Sequence, residues 1–221
     1  MNIEQARFNM IQQQIRPWDV LDPGVLELLK VVKREDFVPE EYRELAFADI
    51  EIPLKRGAKP GQAMLAPRVE ARVLQELAVK NTDKALEIGA GSGYMAALLA
   101  AQAEFVYSVE IEAELVDRAR RNLRQAGVAN VSVDLGDASQ GWDLYAPYDV
   151  IVVSGSMPVL PETLLRQLKI GGRMAAVVGD APSMELQLIR RTGEDAFSRE
   201  NLFETALAAL VNAAQQKKFV F

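Results

Sequence analysis

The sequence predicts an α/β fold: a doubly wound, mostly parallel sheet with an N-terminal helical appendage. Two observations carry this prediction. After about residue 80, short runs rich in β-branched residues alternate with amphipathic segments, as in a parallel sheet covered by helices on both faces. Before it, apolar residues recur at helical spacing between segments marked by proline. We therefore expect one compact unit, in which residues 1–80 form the appendage with a substrate or cofactor loop and residues 81–221 form the core.

The N-terminal part predicts helices and one long loop. Helical spacing of apolar residues indicates helices over 3–11, 23–33 and 69–77. Asp22 as the N-cap and Pro23 at the first helical position mark the start of the second helix. The stretch 53–67 is interrupted by prolines and glycines, a composition typical of a binding loop.

The core predicts alternating strands and helices. The apolar runs indicate strands over 84–88, 105–109, 131–133, 150–153 and 173–178, and the amphipathic segments indicate helices over 93–103, 112–126 and 161–169. Residues 202–207 fit a strand or a helix, and we predict an edge strand there.

The residue inventory excludes several kinds of chemistry. The 221 residues include no histidine and no cysteine. Cysteine or histidine metal sites, cysteine nucleophiles and Ser-His-Asp triads therefore cannot form. Only carboxylates, lysines or tyrosines with shifted pKa values remain as general bases near neutral pH. This inventory favours a reaction that needs no strong base.

The charge balance indicates the partners to expect. With 25 basic and 31 acidic residues the net charge is −6, which argues against nucleic-acid binding. The basic residues at 118, 120, 121 and 124 have helical spacing and are interpreted as a solvated face. No apolar run approaches the length of a membrane span, and the N-terminus does not resemble a signal peptide. We expect a cytoplasmic protein that does not bind membranes.

A glycine-rich turn follows the first core strand. Gly89, Gly91 and Gly93 stand at alternate positions between a strand and a helix, so the backbone can turn sharply and lie close to a ligand. In such sheets ligands bind at the carboxyl ends of the strands. Tyr94 stands where the dinucleotide fingerprint requires its third glycine, and no P-loop lysine follows. Glu87 would repel a pyrophosphate but suits a ligand with an ammonium and a sulfonium group.

Two further carboxylates follow the next strands. Glu110 comes 21 residues after Gly89, where it can accept hydrogen bonds from both ribose hydroxyls. Asp137 follows the third strand and can accept from an adenine amino group. Together these features indicate S-adenosylmethionine (SAM). The predicted cofactor-binding residues are Glu87, Gly89, Gly91, Gly93, Glu110, Ile111, Asp137 and Ala138. No metal site is predicted.

Several motifs support a family resemblance. The segments 87–94, 108–110, 136–137, 141–142, 148–151 and 167–173 resemble the successive motifs of Rossmann-like class I SAM-dependent methyltransferases. Upstream, 34–40, Tyr42, Ala46, Phe47, Asp49, Gly61-Gln62 and Ala66-Pro67 resemble the protein-L-isoaspartate O-methyltransferases. The resemblance implies methylation of the free α-carboxylate of L-isoaspartyl residues in damaged proteins, as a step in their repair. An ionised carboxylate needs no general base, which agrees with the absence of histidine.

The chain departs from the family pattern in the acceptor loop. The family typically has GQTISxP, with the serine near the transferred methyl group, whereas this chain has Ala63 at the threonine position and Leu65 at the serine position. A second departure is segment 205–210, where the family has a substrate-lining Val-Pro-Leu type sequence. The catalytic residue is therefore open, with Ser154 and Ser156 as candidates for the missing hydroxyl.

Three other functions stay open from the sequence. A methyltransferase with another acceptor would keep the SAM site and explain Leu65, as would a SAM-binding protein with little catalytic activity. An NAD-dependent oxidoreductase is the weakest alternative because of Tyr94. The oligomeric state is not predicted.

Overall fold

The computed structural model describes residues 2–215. The helices are α1 Ile3–Asn9, α2 Pro23–Val31, α3 Pro67–Leu77, α4 Tyr94–Ala100, α5 Ala113–Gln125 and α6 Glu162–Arg166. The strands are β1 Ile52–Pro53, β2 Ala63–Met64, β3 Lys84–Ile88, β4 Phe105–Glu110, β5 Val131–Leu135, β6 Tyr148–Met157, β7 Leu168–Asp180, β8 Ser183–Arg191 and β9 Phe197–Glu204. A π-helical turn, Met10–Ile15, continues α1, and short 3-10 turns include Arg34–Asp36 and Glu40–Leu45.

The main sheet has seven strands in the order β5-β4-β3-β6-β7-β8-β9. The five strands β3 to β7 run parallel, while β8 and β9 are antiparallel to their neighbours. The predicted doubly wound, mostly parallel sheet is thus confirmed. The strand order reverses beside β3, which pairs with β4 on one side and β6 on the other. The carboxyl ends of β3, β4 and β6 therefore meet at one edge, where ligands bind in such folds.

Helices α4 and α5 cover the sheet beside this edge. All seven residues of α4 are buried. Helix α5 buries only its apolar stripe and leaves Arg120, Arg121 and Arg124 exposed, as expected of a solvated face. The first turn of α4 is close to α5 because Gly93 has no side chain to separate them. A Cβ on Gly93 would lie 3.3 Å from the Cα atom of Ala119.

The N-terminal residues join the core of the sheet. Met10 and Leu29 belong to the same buried apolar cluster as Leu74 of α3 and Val106 of β4. The division at residue 80 stays a prediction. Among residues 2–215, no helix combines the length and the apolar character needed to cross a membrane.

Several elements in the second half differ from the prediction. Strands β6 and β7 are longer than the predicted 150–153 and 173–178. Strand β8 was not predicted, although Met184, Leu186 and Leu188 alternate with more exposed residues along it. The predicted helix over 161–169 ends at Arg166, because Leu168 pairs with β6. The edge strand exists, but it spans Phe197–Glu204 rather than 202–207. The chain beyond β9 leaves the sheet edge and pairs with Ser156 instead.

Candidate active site

A cavity of about 250 Å³ lies at the carboxyl ends of β3, β4, β5 and β6. Its lining residues come from the carboxyl-terminal parts of these strands and the turns that follow (87–92, 109–112, 136–139 and 154–155), the loop 59–65, the segment 208–211, and Leu54, Glu70, Met95 and Leu115. All the predicted site residues line it except Gly93 and Ser156. The long loop and the C-terminal segment thus face the nucleotide-binding turns across one cavity.

The glycine turn lets the backbone border the cavity. Gly89 and Gly91 have φ values of +95° and +51°, in the left-handed region that favours glycine. The N–H of Gly89 donates to the carbonyl of Val109 at 2.8 Å, which extends the β3–β4 pairing. A Cβ on Gly91 would lie 3.3 Å from the side chain of Leu54. Because these glycines have no side chains, the backbone of the turn itself borders the cavity.

Gly93 has a different place from the one predicted. It is absent from the cavity lining, and its Cα faces α5, where a Cβ would crowd Ala119 and Leu123. Its φ of +84° also suits the turn before α4. Helix packing and turn geometry therefore account for this glycine, which the sequence pattern assigned to the ligand.

Glu110, at the end of β4, organises the adjacent backbone. One carboxylate oxygen accepts from the N–H of Gly91 and the other from the N–H of Glu112, both at 3.0 Å. The side chain is buried yet lines the cavity beside Ile111. Each carboxylate oxygen has a second acceptor position. Glu110 can therefore hold the glycine turn and still accept hydrogen bonds from a ligand.

Asp137 holds the turn after β5. Its Oδ1 accepts from the N–H of Ser139 at 2.9 Å, and its Oδ2 accepts from the Asn212 side chain at 2.8 Å. Burial acts to raise the pKa of Asp137, but these hydrogen bonds outweigh it and the pKa lies below its ordinary value. Asp137 and the neighbouring Ala138 thus present an ionised carboxylate and an apolar surface to the cavity.

Glu87 is completely buried at the centre of the sheet edge. Its carboxyl group accepts hydrogen bonds from the hydroxyls of Ser108 at 2.5 Å and Ser154 at 3.3 Å. Burial raises the pKa of Glu87 to about 8, against the effect of these hydrogen bonds, and the nearby charges of Glu110 and Glu70 raise it further. A cation in the cavity would favour the ionised form.

The loop that resembles the family's acceptor segment lines the opposite wall. Ala63 and Met64 form β2, which pairs with β1, and Leu65 follows at the cavity surface. The carbonyl of Leu65 accepts from the guanidinium of Arg34 at 2.7 Å. None of these three side chains carries a hydroxyl group, so this wall offers an acceptor no donor from the position of the family serine.

The C-terminal segment closes the cavity beside β6. The N–H of Ser156 donates to the carbonyl of Ala208, and the N–H of Leu210 donates to the carbonyl of Ser156. The Ser156 hydroxyl donates to the carbonyl of Leu207 at 2.9 Å, so it holds this segment and does not line the cavity. Ser154 does line the cavity, and its hydroxyl donates to Glu87.

Sequence reasoning missed three contributors to the site. Glu70 of α3 lines the cavity, Arg34 pairs with Glu70, and Asn212 donates to Asp137. Glu70 offered a signal: it belongs to the buried face of a helix whose other buried residues are apolar. A carboxylate is rarely buried in this way unless it is paired with another group or has a functional role. Asn212 gave no such signal.

One family model covers nearly the whole chain. The family model described as protein-L-isoaspartate(D-aspartate) O-methyltransferase matches residues 5–215. The chain belongs to this family. The resemblance drawn from the motifs is therefore confirmed. The match also includes the segment 205–210, which departs from the pattern typical of the family.

Two relatives named as protein-L-isoaspartate O-methyltransferases are similar to this chain over most of its length. The chain is 40% identical to protein-L-isoaspartate O-methyltransferase 2 of Pelobacter propionicus, covering 96% of this chain and 93% of the relative. It is 41% identical to the Rhodopseudomonas palustris protein-L-isoaspartate O-methyltransferase, covering 92% of each.

Two solved structures show the same fold at low identity. A crystal structure provisionally assigned to this family, from Plasmodium falciparum and in complex with S-adenosyl-L-homocysteine, has a TM-score of 0.79 at 19% identity, covering 96% of this chain and 99% of that one. A second structure, named protein-L-isoaspartate O-methyltransferase, has a TM-score of 0.81 at 23% identity, covering 95% of this chain and 67% of the other.

Proposed function

We propose that this protein transfers the methyl group of SAM to the free α-carboxylate of L-isoaspartyl residues in proteins, as a repair step. The observation that carries the proposal is one cavity, in a member of this family, where Glu87, Glu110 and Asp137 meet at the ends of three adjacent strands. This placement supports the prediction that these residues bind the nucleoside and the amino-acid part of SAM.

The residues around the cavity fit SAM chemically. Gly89 and Gly91 leave backbone exposed where a Cβ would approach the cavity wall. Glu110 would accept hydrogen bonds from the ribose hydroxyls, and Asp137 would accept from the adenine amino group. Four acidic residues from the ends of β3, β4 and β5 and the turns after them (Glu87, Glu110, Glu112 and Asp137) and one basic residue (Lys59) line the cavity, which suits a ligand with two positive charges.

The proposed chemistry makes few demands on the protein. When bound, SAM supplies a methyl group on a positively charged sulfur. An acceptor carboxylate is already ionised at pH 7, so the residues need to orient it and exclude water rather than remove a proton. The loop 59–65 and the segment 208–211 enclose the cavity with largely apolar side chains. The absence of histidine from the chain is compatible with this role.

The proposal extends to organisation and partners. We take residues 1–80 to contribute the acceptor wall and residues 81–221 to contribute the cofactor turns, within one compact unit. The substrates are proteins or peptides with isoaspartyl residues. The net charge of −6 supports a role that does not involve nucleic acids. We also take the protein to act in the cytoplasm and without binding membranes.

Methyl transfer to a peptide tests the proposal. Labelled methyl from SAM is followed into an isoaspartyl peptide and into its normal aspartyl twin, and calorimetry measures binding of SAM and NAD. We expect SAM to bind and the isoaspartyl peptide alone to be methylated. SAM binding without incorporation would reject the acceptor, and NAD binding without SAM binding would reject the whole proposal.

A second candidate is a methyltransferase with a different acceptor. Leu65 and Ala63 favour it, because neither side chain can hydrogen-bond to a carboxylate. Assay of label incorporation into total cell protein and into small molecules would separate the two candidates. Incorporation into small molecules with none into isoaspartyl peptides would favour the second.

A further inference from the structure

Glu70 is a carboxyl group on the acceptor wall that the cofactor site does not use. It lies in the first turn of α3, its side chain is 3% exposed, and it lines the cavity. Arg34 connects Glu70 to Leu65: one guanidinium nitrogen pairs with Oε2 of Glu70, and another donates to the carbonyl of Leu65. Glu70 is thus fixed close to the position where the family serine is missing.

The two oxygens of Glu70 differ in their partners. Oε2 receives the hydrogen bond from Arg34, whereas Oε1 receives none from residues 2–215. Glu70 itself lines the cavity, so Oε1 is the oxygen left for a group bound there. Glu87 provides the contrast, because both of its oxygens already accept from serine hydroxyls.

The surroundings of Glu70 set its protonation. Burial of the side chain opposes ionisation, while Arg34 and the N-terminal end of α3 favour it. The carboxyl group of Glu87 on β3 also faces this group and is close enough to interact with it. Tyr94 of α4, whose ring lies 5.3 Å from the Arg34 guanidinium, also faces this group. Burial dominates and raises the pKa of Glu70 to about 7. An acceptor carboxylate brought into this acidic cavity would favour protonation further.

We propose that Glu70, protonated on Oε1, donates a hydrogen bond to the acceptor carboxylate and so replaces the donor that Ala63 and Leu65 lack. The inference rests on the proposed function and names the residue that orients its acceptor. One acceptor oxygen is held by this hydrogen bond, which leaves the other free to take the methyl group. Glu70 keeps its proton, because an ionised acceptor has none to lose.

The experiment compares the pH dependence of Glu70→Gln with that of the wild type. Glutamine keeps the shape, an oxygen for Arg34 and an N–H donor for the acceptor, but it does not titrate. At saturating SAM, kcat and KM for an isoaspartyl peptide are measured from pH 6 to pH 9, with the methyl ester and the methanol released from it counted together. Glu70→Met, which has no donor, completes the series, and calorimetry with SAM checks that each variant retains a folded site.

Each outcome decides the inference. We expect the wild-type kcat/KM to fall about tenfold for each unit of rising pH once Glu70 ionises. The Gln variant should lack this fall. The Met variant should be at least about tenfold less active than the wild type at pH 6. Parallel profiles for wild type and Gln variant, or equal activity of the Met and Gln variants, would overturn it. Either of these results would reject the role of Glu70 but would leave the proposed isoaspartyl methylation unaffected. Absence of methylation by the wild type at every pH, with SAM bound, would instead reject the proposed function and the inference with it.

Discussion

The hydroxyl of Ser108 donates a hydrogen bond of 2.5 Å to the carboxyl group of Glu87, its direct partner across β4 and β3. The strand register therefore places a polar partner beside a carboxyl group that is completely buried. Because this neutral hydroxyl cannot offset burial, the pKa of Glu87 is raised to about 8. Glu87 is thus largely protonated at pH 7 until a cation approaches it.

SAM binding is expected to release a proton through Glu87. The positive charges of the cofactor favour the ionised carboxylate, so below pH 8 binding must remove the proton, and SAM affinity should rise with pH and level off above about pH 8. Calorimetry in two buffers with different ionisation enthalpies at pH 7 counts the protons released.

Two variants control this measurement. Glu87→Gln should bind SAM more weakly and release no proton at this site. Ser108→Ala removes a hydrogen bond that lowers the pKa of Glu87, so its affinity curve should shift to higher pH. Equal proton release by wild type and Glu87→Gln would show that Glu87 does not sense the cofactor.

Replacement of Glu110 by alanine should weaken SAM binding by about 1.5–3 kcal/mol, the value of lost hydrogen bonds to a charged group. The same change leaves the N–H groups of Gly91 and Glu112 without their carboxylate partner. Calorimetry measures the affinity. Glu114→Ala is the matched control, since this exposed carboxylate on α5 pairs with Lys55 and does not line the cavity. Unchanged affinity in the Glu110 variant would place the ribose elsewhere.

A hydroxyl at position 65 should increase isoaspartyl methylation. Leu65→Ser restores the donor of the family pattern, and we expect kcat/KM for an isoaspartyl peptide to rise about tenfold, the effect of one added hydrogen bond at the transition state. Leu65→Ala removes the same bulk without adding a hydroxyl. If alanine raises the rate as much as serine, the gain comes from space and not from hydrogen bonding.

The buried pair of Arg34 and Glu70 should behave as a unit in unfolding. Both side chains are at most 3% exposed, so Arg34→Met leaves a buried carboxylate without its partner and should cost about 3–5 kcal/mol of unfolding free energy. The loss should be larger at pH 9 than at pH 5, because at pH 5 Glu70 can take up a proton. Urea denaturation measures both.

The double variant Arg34→Met, Glu70→Met shows whether the pair is the cause. It removes both charges, so most of the lost stability should return. Arg43→Met, at an exposed pair with Glu40, should change stability by less than about 1 kcal/mol. A double variant as unstable as Arg34→Met alone would mean that Arg34 acts through packing or through its bond to Leu65.

Local patterns were sufficient for most of the core. Strands β3 to β5 were predicted within two residues because β-branched runs, glycine turns and amphipathic helices are local features. The late strands were predicted less well, and β8 was missed although its burial alternates. Strand β9 was displaced because the point at which the chain leaves the sheet depends on its pairing with Ser156.

The sequence by itself determined the inventory and the cofactor side of the site. It excludes imidazole and thiol chemistry, and it places carboxylates at or just after the carboxyl ends of three parallel strands, which necessarily share one edge. Only the tertiary structure decided that Gly93 packs against α5, that Ser156 holds the C-terminal segment, and that Glu70 lines the cavity. These roles arise from contacts between residues far apart in the chain. Helix packing explains Gly93, while burial and hydrogen-bond partners decide what the side chains of Ser156 and Glu70 do.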